Sequence, residues 1–237
     1  MISIIVPTYN EEATILRSLT SLSEQTVPRD QYELIVVDGN SRDKSRDIAG
    51  KLADVVFIQE SDRVGGARND GFLRSQYDLV ATTDADSYIP PNWIEELIRS
   101  FSKPDVVQTY GPICAISDTP KNRMYVKLFN SMIWAGAGTG LWHYTLGCNT
   151  AFKKDALIRA GMYRNYDAGD DLEIPLRMKK EGKVYFNRKL VVGFDFRRYD
   201  DYGFMKTLAE WYYIVLKGGS SDKVQYSQRE YTQSAEK

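Results

Sequence analysis

Four short apolar runs, residues 2–6, 34–37, 55–58 and 79–83, alternate with amphipathic or polar stretches of helical length. That alternation constrains the fold most. Strand–helix–strand repetition is best satisfied by a parallel sheet with crossover helices covering its faces. The expectation is therefore an α/β fold: a doubly wound, mostly parallel sheet with helices on both faces, in one compact domain.

The helical stretches follow from periodicity and end signals. Residues 11–23 put Ile15, Leu16, Leu19 and Leu22 on one face. Ser41 reads as the cap of a polar helix through Leu52, and a further helix falls near 67–75. Pro90 and Pro91 open a helix over 92–101, since proline fits a first helical turn. The second half is less regular and more aromatic, with Tyr125, Phe129, Trp134, Trp142 and Tyr144 around an Ala/Gly-rich segment. Nothing repeats at a fixed period, and the polar stretch 218–237 reads as a frayed tail.

Bulk properties remove several classes. The 237 residues carry 31 Lys plus Arg against 32 Asp plus Glu, so the basic surface that phosphate backbones select for is lacking, and no nucleic acid is expected as partner. Two cysteines, Cys114 and Cys148, make no disulfide scaffold and lack zinc spacing; a single histidine, His143, excludes a two-imidazole site. The opening MISIIVPTYN is too strand-like for a signal peptide, and no apolar run approaches the ~20 residues that span a bilayer. The expected location is cytoplasmic.

In open α/β sheets, ligands bind beyond the carboxyl ends of the strands. Three successive ends here are polar: Thr8-Tyr9-Asn10-Glu11, Asp38-Gly39-Asn40 and Asp84-Ala85-Asp86. Each alone is equally well a cap or a turn; together they outline one crevice. Asp84 and Asp86, two apart at a strand exit, can reach one hard cation, for two carboxylates plus phosphates and water make a typical Mg2+ or Mn2+ site.

These segments, with Gly66-Ala67-Arg68-Asn69, Gly147-Cys148-Asn149-Thr150-Ala151 and Gly169-Asp170-Asp171-Leu172-Glu173, occur in the order found in the family 2 glycosyltransferases, and the chain resembles that family over roughly residues 1–210. The resemblance implies the type A glycosyltransferase fold and inverting transfer of a sugar from a UDP- or GDP-linked donor. Residues 1–110 would form the nucleotide-sugar-binding half and 111–217 the half that binds acceptor and carries the base.

By the same resemblance Pro7, Thr8, Tyr9, Glu11 and Asp38 would cradle the nucleoside, with Asp38 at the base edge and Glu11 at the ribose. Arg68 would lie near the donor or pair with Asp84 or Asp86; arginine geometry suits both. Asp86 would be the principal ligand of Mn2+ or Mg2+, with Asp84 nearer the sugar. The histidine that the family often supplies as a further ligand is missing from Val192-Gly193-Phe194-Asp195-Phe196-Arg197-Arg198, leaving Asp195 as the substitute and the two arginines for phosphate.

Asp171 would be the general base, and Asp170 either an acceptor contact or a helix cap with Glu173 as its capping-box partner. Asn149 would meet the acceptor. Cys148 reads as a small buried filler. Trp134 and Trp142 read as core, as sugar-stacking rings or as membrane-interface anchors. The last suits a peripheral enzyme with a lipid-linked rather than free saccharide acceptor, on the inner face of the membrane. A nucleotidyltransferase would carry a glycine-rich basic loop after its first strand, and a dehydrogenase Gly-x-Gly-x-x-Gly there; both are lacking. A silent nucleotide-sugar-binding module would have lost Asp86 or Asp171.

Overall fold

The computed structural model describes residues 1–140 and 142–219. The elements run β1 (Ile2–Thr8), α1 (Ile15–Ser23), β2 (Tyr32–Asp38), α2 (Ser45–Ala49), β3 (Val55–Ile58), α3 (Arg63–Arg74), β4 (Leu79–Thr82), α4 (Trp93–Phe101) and β5 (Val106–Tyr110). They continue as β6 (Ile113–Ala115), α5 (Pro120–Thr139), β7 (Thr150–Lys153), α6 (Lys154–Arg159), α7 (Asp170–Glu181), β8 (Lys183–Phe186), β9 (Val192–Phe194), α8 (Arg197–Tyr202) and α9 (Phe204–Leu216). Beyond Gly219, the expected tail lies outside the described residues.

Seven strands form one sheet in the order β3-β2-β1-β4-β7-β5-β8. Only β7 runs antiparallel to its neighbours, β4 and β5. Because β7 comes from the second half of the chain and inserts between strands of the first, one sheet runs across the expected 110/111 boundary. The strands are apolar on both faces because both faces are covered. Ile5, Ile35, Val37 and Val80 pack with Phe72 and Phe152 on one side. Ile4, Val6, Leu34, Val36 and Ala81 pack with Leu19, Trp93 and Leu97 on the other. Gly71 allows α3 its close approach: a Cβ there would lie 2.6 Å from Ile5 Cγ2.

Several helix starts differ from the sequence reading, each for a local reason. α1 begins at Ile15 rather than residue 11, because the Glu11 and Glu12 amides donate to Ser45 and Asp43 across to the β2 exit. Leu16 lies off the buried face, at 55% exposure. Ser41 caps nothing: its amide donates to Asp38 and its hydroxyl accepts from the Asn10 amide, so α2 is confined to Ser45–Ala49. α3 starts at Arg63, earlier than periodicity suggested, because Gly65 and Gly66 weaken the helical signal while remaining in the helix.

Candidate active site

Parallel pairing brings the carboxyl ends of β1, β2 and β4 to one edge of the sheet, with Thr8 in register with Asp38. A cleft of about 1150 Å3 opens there. One wall carries Pro7, Thr8, Tyr9 and Glu11, together with Asp84 and Asp86. Asp170 and Asp171, from the start of α7, line the same cleft. Asp38 lies just behind the first wall. It is fully buried; Oδ1 accepts the Ser41 amide at 2.7 Å, and Oδ2 has no hydrogen-bond partner.

Arg68, from the middle of α3, ties the strand-end carboxylates to those of α7. Its Nη2 is 3.3 Å from Asp84 Oδ1, while Nη1 is 3.2 Å from Asp170 Oδ2 and 3.4 Å from Asp171 Oδ1. It does not pair with Asp86. The guanidinium is buried beneath Gly147, where a Cβ would fall 1.9 Å from Nη2. The glycine of that motif therefore makes room for the arginine of another.

One cation shared among three carboxylates leaves excess negative charge. Burial and the neighbouring Asp170 push Asp171 up to about 7, against the pull of Arg68 and of the Gly147 amide. Burial raises Asp84 to about 6; Arg68 opposes the shift and Asp86 adds to it. Burial and Asp86 raise Glu11 to about 7, offset in part by Arg197. The partly exposed carboxylates of Asp84 and Asp86 open on the cleft in a surplus of negative charge, and so fit a hard cation that takes its remaining ligands from phosphate and water.

Asp195 lines the same cleft. Its Oδ1 accepts the Arg197 amide at 3.0 Å, and Oδ2 is 3.5 Å from Arg17 and 3.4 Å from Arg197. Among the described residues no three carboxylate, thiol or imidazole groups converge as a ready metal cage; Asp195, expected as a third ligand, is here held by arginines, as Asp86 is by Arg197. Arg197 itself bridges Glu11 at 2.9 Å and Asp86 at 3.1 Å.

The expected cap at Asp170 is also corrected. Gly169, at φ 88°, is the residue preceding α7, and no side chain caps it. Asp170 and Asp171 are instead the first two helical residues, where peptide dipoles favour carboxylates. Glu173 pairs with Arg177 at 2.6 Å rather than closing a capping box. The Thr145 hydroxyl donates to the Asp171 carbonyl.

Three expected acceptor contacts lie elsewhere. Asn149 is fully buried and satisfied: Oδ1 accepts Trp93 Nε1 at 2.9 Å, and Nδ2 donates to the Pro112 and Leu190 carbonyls at 2.9 and 2.8 Å. It locks strand ends together and is not part of the cleft wall. Trp134 projects from α5 against Phe186, with Arg188 over its ring at 4.6 Å, away from the cleft. Trp142 lies edge-on to Tyr144 and likewise outside the wall. The aromatic groups that do line it are Tyr9, Phe129, Tyr144, Phe194, Tyr199 and Trp211. His143 is packed, its Nδ1 bonded to the Tyr110 hydroxyl at 2.8 Å. Cys148 is buried and its thiol is pushed well up by burial, which suits a filler rather than a nucleophile.

A doubly wound sheet whose acidic strand ends share one cleft with a second acidic pair is the setting in which the comparisons with known proteins fall. The family model for glycosyl transferase family 2 matches residues 3–161, and the chain belongs to that family. A Methanococcus voltae dolichyl N-acetyl-alpha-D-glucosaminyl phosphate 3-beta-D-2,3-diacetamido-2,3-dideoxy-beta-D-glucuronosyltransferase is 24% identical over 216 residues, 80% of this chain and 65% of that protein. A mannosyltransferase from Pyrobaculum calidifontis, solved with GDP-Man and Mn2+, superposes with TM-score 0.65 at 24% identity, over 81% of this chain and 56% of the other. S. aureus TarS residues 1–349 with UDP-GlcNAc gives TM-score 0.64 at 18% identity, over 82% and 58%. The fold is thus the type A glycosyltransferase fold. The matches span only 17–65% of the length of the leading curated relatives.

Proposed function

We propose that this chain is an inverting glycosyltransferase that moves a sugar from a nucleoside-diphosphate donor to an acceptor hydroxyl. The observation that carries the reading is the convergence of Asp84, Asp86 and Asp171 on one cleft, with Arg68 bound to both Asp84 and Asp171. Pro7, Thr8, Tyr9 and Glu11 hold the nucleoside, Tyr9 by its half-exposed ring and Glu11 by accepting from ribose hydroxyls. The free acceptor oxygen of Asp38 supports a contact to the base edge.

Asp171 takes the proton from the acceptor hydroxyl as that oxygen attacks the anomeric carbon opposite the leaving diphosphate. A carboxylate held near 7 suits a general base, being substantially ionised at neutral pH yet basic enough to accept a proton. Arg68, bound to both Asp170 and Asp171, keeps the base in place, while burial and the Asp170 charge beside it keep its affinity for the proton high. Asp84 and Asp86 would hold Mn2+ or Mg2+, which as a Lewis acid neutralises charge building on the diphosphate.

The acceptor is a saccharide or a lipid-linked species. Aromatic walls from Phe129, Tyr144, Tyr199 and Trp211 suit either a stacked sugar ring or an apolar chain, and the Methanococcus relative acts, by its name, on a dolichyl phosphate-linked sugar. No helix among the described residues is long and apolar enough to cross a membrane; a lipid acceptor calls for peripheral contact, on the cytoplasmic face. Residues 1–110 act as the donor half and 111–217 as the acceptor half. The test is to incubate the chain with UDP- and GDP-sugars, Mn2+ and a panel of saccharide and lipid-linked acceptors, and to read the product by NMR. An inverted anomeric centre is expected; retention overturns the single-base mechanism.

A further inference from the structure

Arg197 presents an arrangement that donor binding alone does not explain. One guanidinium nitrogen, Nη2, reaches both Glu11 Oε2 at 2.9 Å and Asp86 Oδ2 at 3.1 Å, and Nε lies 3.4 Å from Asp195. The side chain is only 12% exposed. The nearby Arg17 does not relieve the Asp86 carboxylate, since its Nη2 donates to the Asp86 carbonyl at 2.9 Å and otherwise faces Asp195. The Glu11 and Asp86 carboxylates therefore share one cation. Burial works against the charge on Arg197, but Glu11 and Asp86 more than offset it, so the guanidinium stays charged there.

We infer that Arg197 is a built-in counter-cation at Asp86: it competes with a divalent ion for that carboxylate in the donor-free protein, and when displaced it becomes a ligand for the donor diphosphate. The inference rests on the proposed glycosyltransferase function for its second half only. A divalent ion at Asp86 would repel the Arg197 guanidinium about twice as strongly as the two arginines that share Asp195 repel each other at equal distance. A guanidinium freed from Asp86 remains anchored by α8 at the cleft wall, where its fork suits a phosphate. The arrangement makes ion and donor bind together rather than in turn, because the phosphates satisfy the arginine that the metal displaces.

The experiment titrates Mn2+ into donor-free protein, following free Mn2+ by electron paramagnetic resonance, with wild type, Arg197→Ala, Arg197→Gln and Arg197→Lys. Circular dichroism and thermal melting check that each variant is folded. Removing the charge should tighten Mn2+ binding by about tenfold or more in the Ala and Gln variants, the scale of one unscreened neighbouring charge at a partly buried site. Lys, which keeps the charge, should stay within about threefold of wild type. Gln retains hydrogen-bonding groups and most of the volume, so it separates charge from packing.

Mn2+ binding by Ala and Gln that is equal to wild type, weaker or undetectable overturns the competition. Equal tightening in all three variants overturns the role of charge. A second titration with UDP and GDP at saturating Mn2+ should show weaker nucleotide binding in Ala and Gln, by about tenfold, for a lost charge-assisted phosphate contact. Unchanged nucleotide affinity overturns the diphosphate role. Binding of neither nucleotide by any variant, wild type included, would count against the transferase reading, and the donor-free Mn2+ result still judges the competition by itself.

Discussion

Replacing Gly147 by alanine is predicted to dislodge Arg68 from three carboxylates at once. The new Cβ would lie 1.9 Å from Nη2, 2.3 Å from Cζ and 2.6 Å from Nη1. A flexible arginine tip usually swings aside at little cost. Here it is buried, with Asp84, Asp170 and Asp171 each within 3.4 Å, so moving it strands buried negative charge. Removing one partner of a buried ionic group typically costs about 3–5 kcal/mol, and a loss of about 3 kcal/mol is expected near pH 8.

The pH dependence carries a definite sign. Asp84 and Asp171 have folded-state values of about 6 and about 7, above their ordinary value of 3.8. The folded state therefore binds protons that the unfolded state has released, and stability from these groups falls as pH rises through that window. Arg68 opposes the upward shift in each. Without it the shifts grow, so the alanine penalty should be largest near pH 8 and should shrink markedly near pH 5.5.

Urea unfolding at the two pH values measures this, with Arg68→Met and the double variant alongside. Once the guanidinium is gone, the alanine should add less than about 1 kcal/mol, because residues in contact are not additive. A Gly147→Ala protein as stable as wild type near pH 8, or a penalty identical at both pH values, refutes the reasoning.

Other expectations are more local. Asp171→Asn should lower transfer by about 10²–10⁴-fold while leaving nucleotide affinity nearly unchanged, and wild-type kcat/KM should fall as pH drops through about 7, where Asp171 takes up its proton. Asp86→Ala should weaken nucleotide binding in the presence of Mn2+ but not in its absence, as calorimetry with and without chelator would show. Asn149→Ala should destabilise by about 2–4 kcal/mol, since it strands the Trp93 indole and two carbonyls. Trp134→Ala should leave transfer rates within about twofold of wild type, as assayed by nucleoside-diphosphate release, because surface changes away from a site have small effects.

Much of this architecture was legible in the sequence because strand ends and parallel connections obey local rules. Apolar runs ending in Thr8, Asp38 and Asp84 give both the sheet and the side on which the cleft opens. Asp171 was legible only through its motif, since nothing local separates it from a helix-start carboxylate. What stayed hidden depends on long-range placement. Arg68 and Asp170 are 102 positions apart, and Arg197 and Glu11 are 186 apart. Asn149 misled for the opposite reason: an amide beside a glycine looks available, yet its partners on Trp93, Pro112 and Leu190 come from three separate segments. Tryptophans at 134 and 142 were conspicuous by composition, but helix phase points the first of them away from the cleft.

The central claim is that this cleft binds a nucleoside diphosphate sugar with the help of a divalent ion. Thermal unfolding of the wild-type chain with UDP, GDP and their sugars, with and without Mn2+, tests it directly. A ligand at about a hundred times its Kd adds about 2.7 kcal/mol, which for a domain of this size raises Tm by roughly 5–10 °C. Such a rise is expected for one nucleotide class, and a smaller one when the ion is withheld. No rise with any nucleotide, whether or not Mn2+ is present, would contradict it.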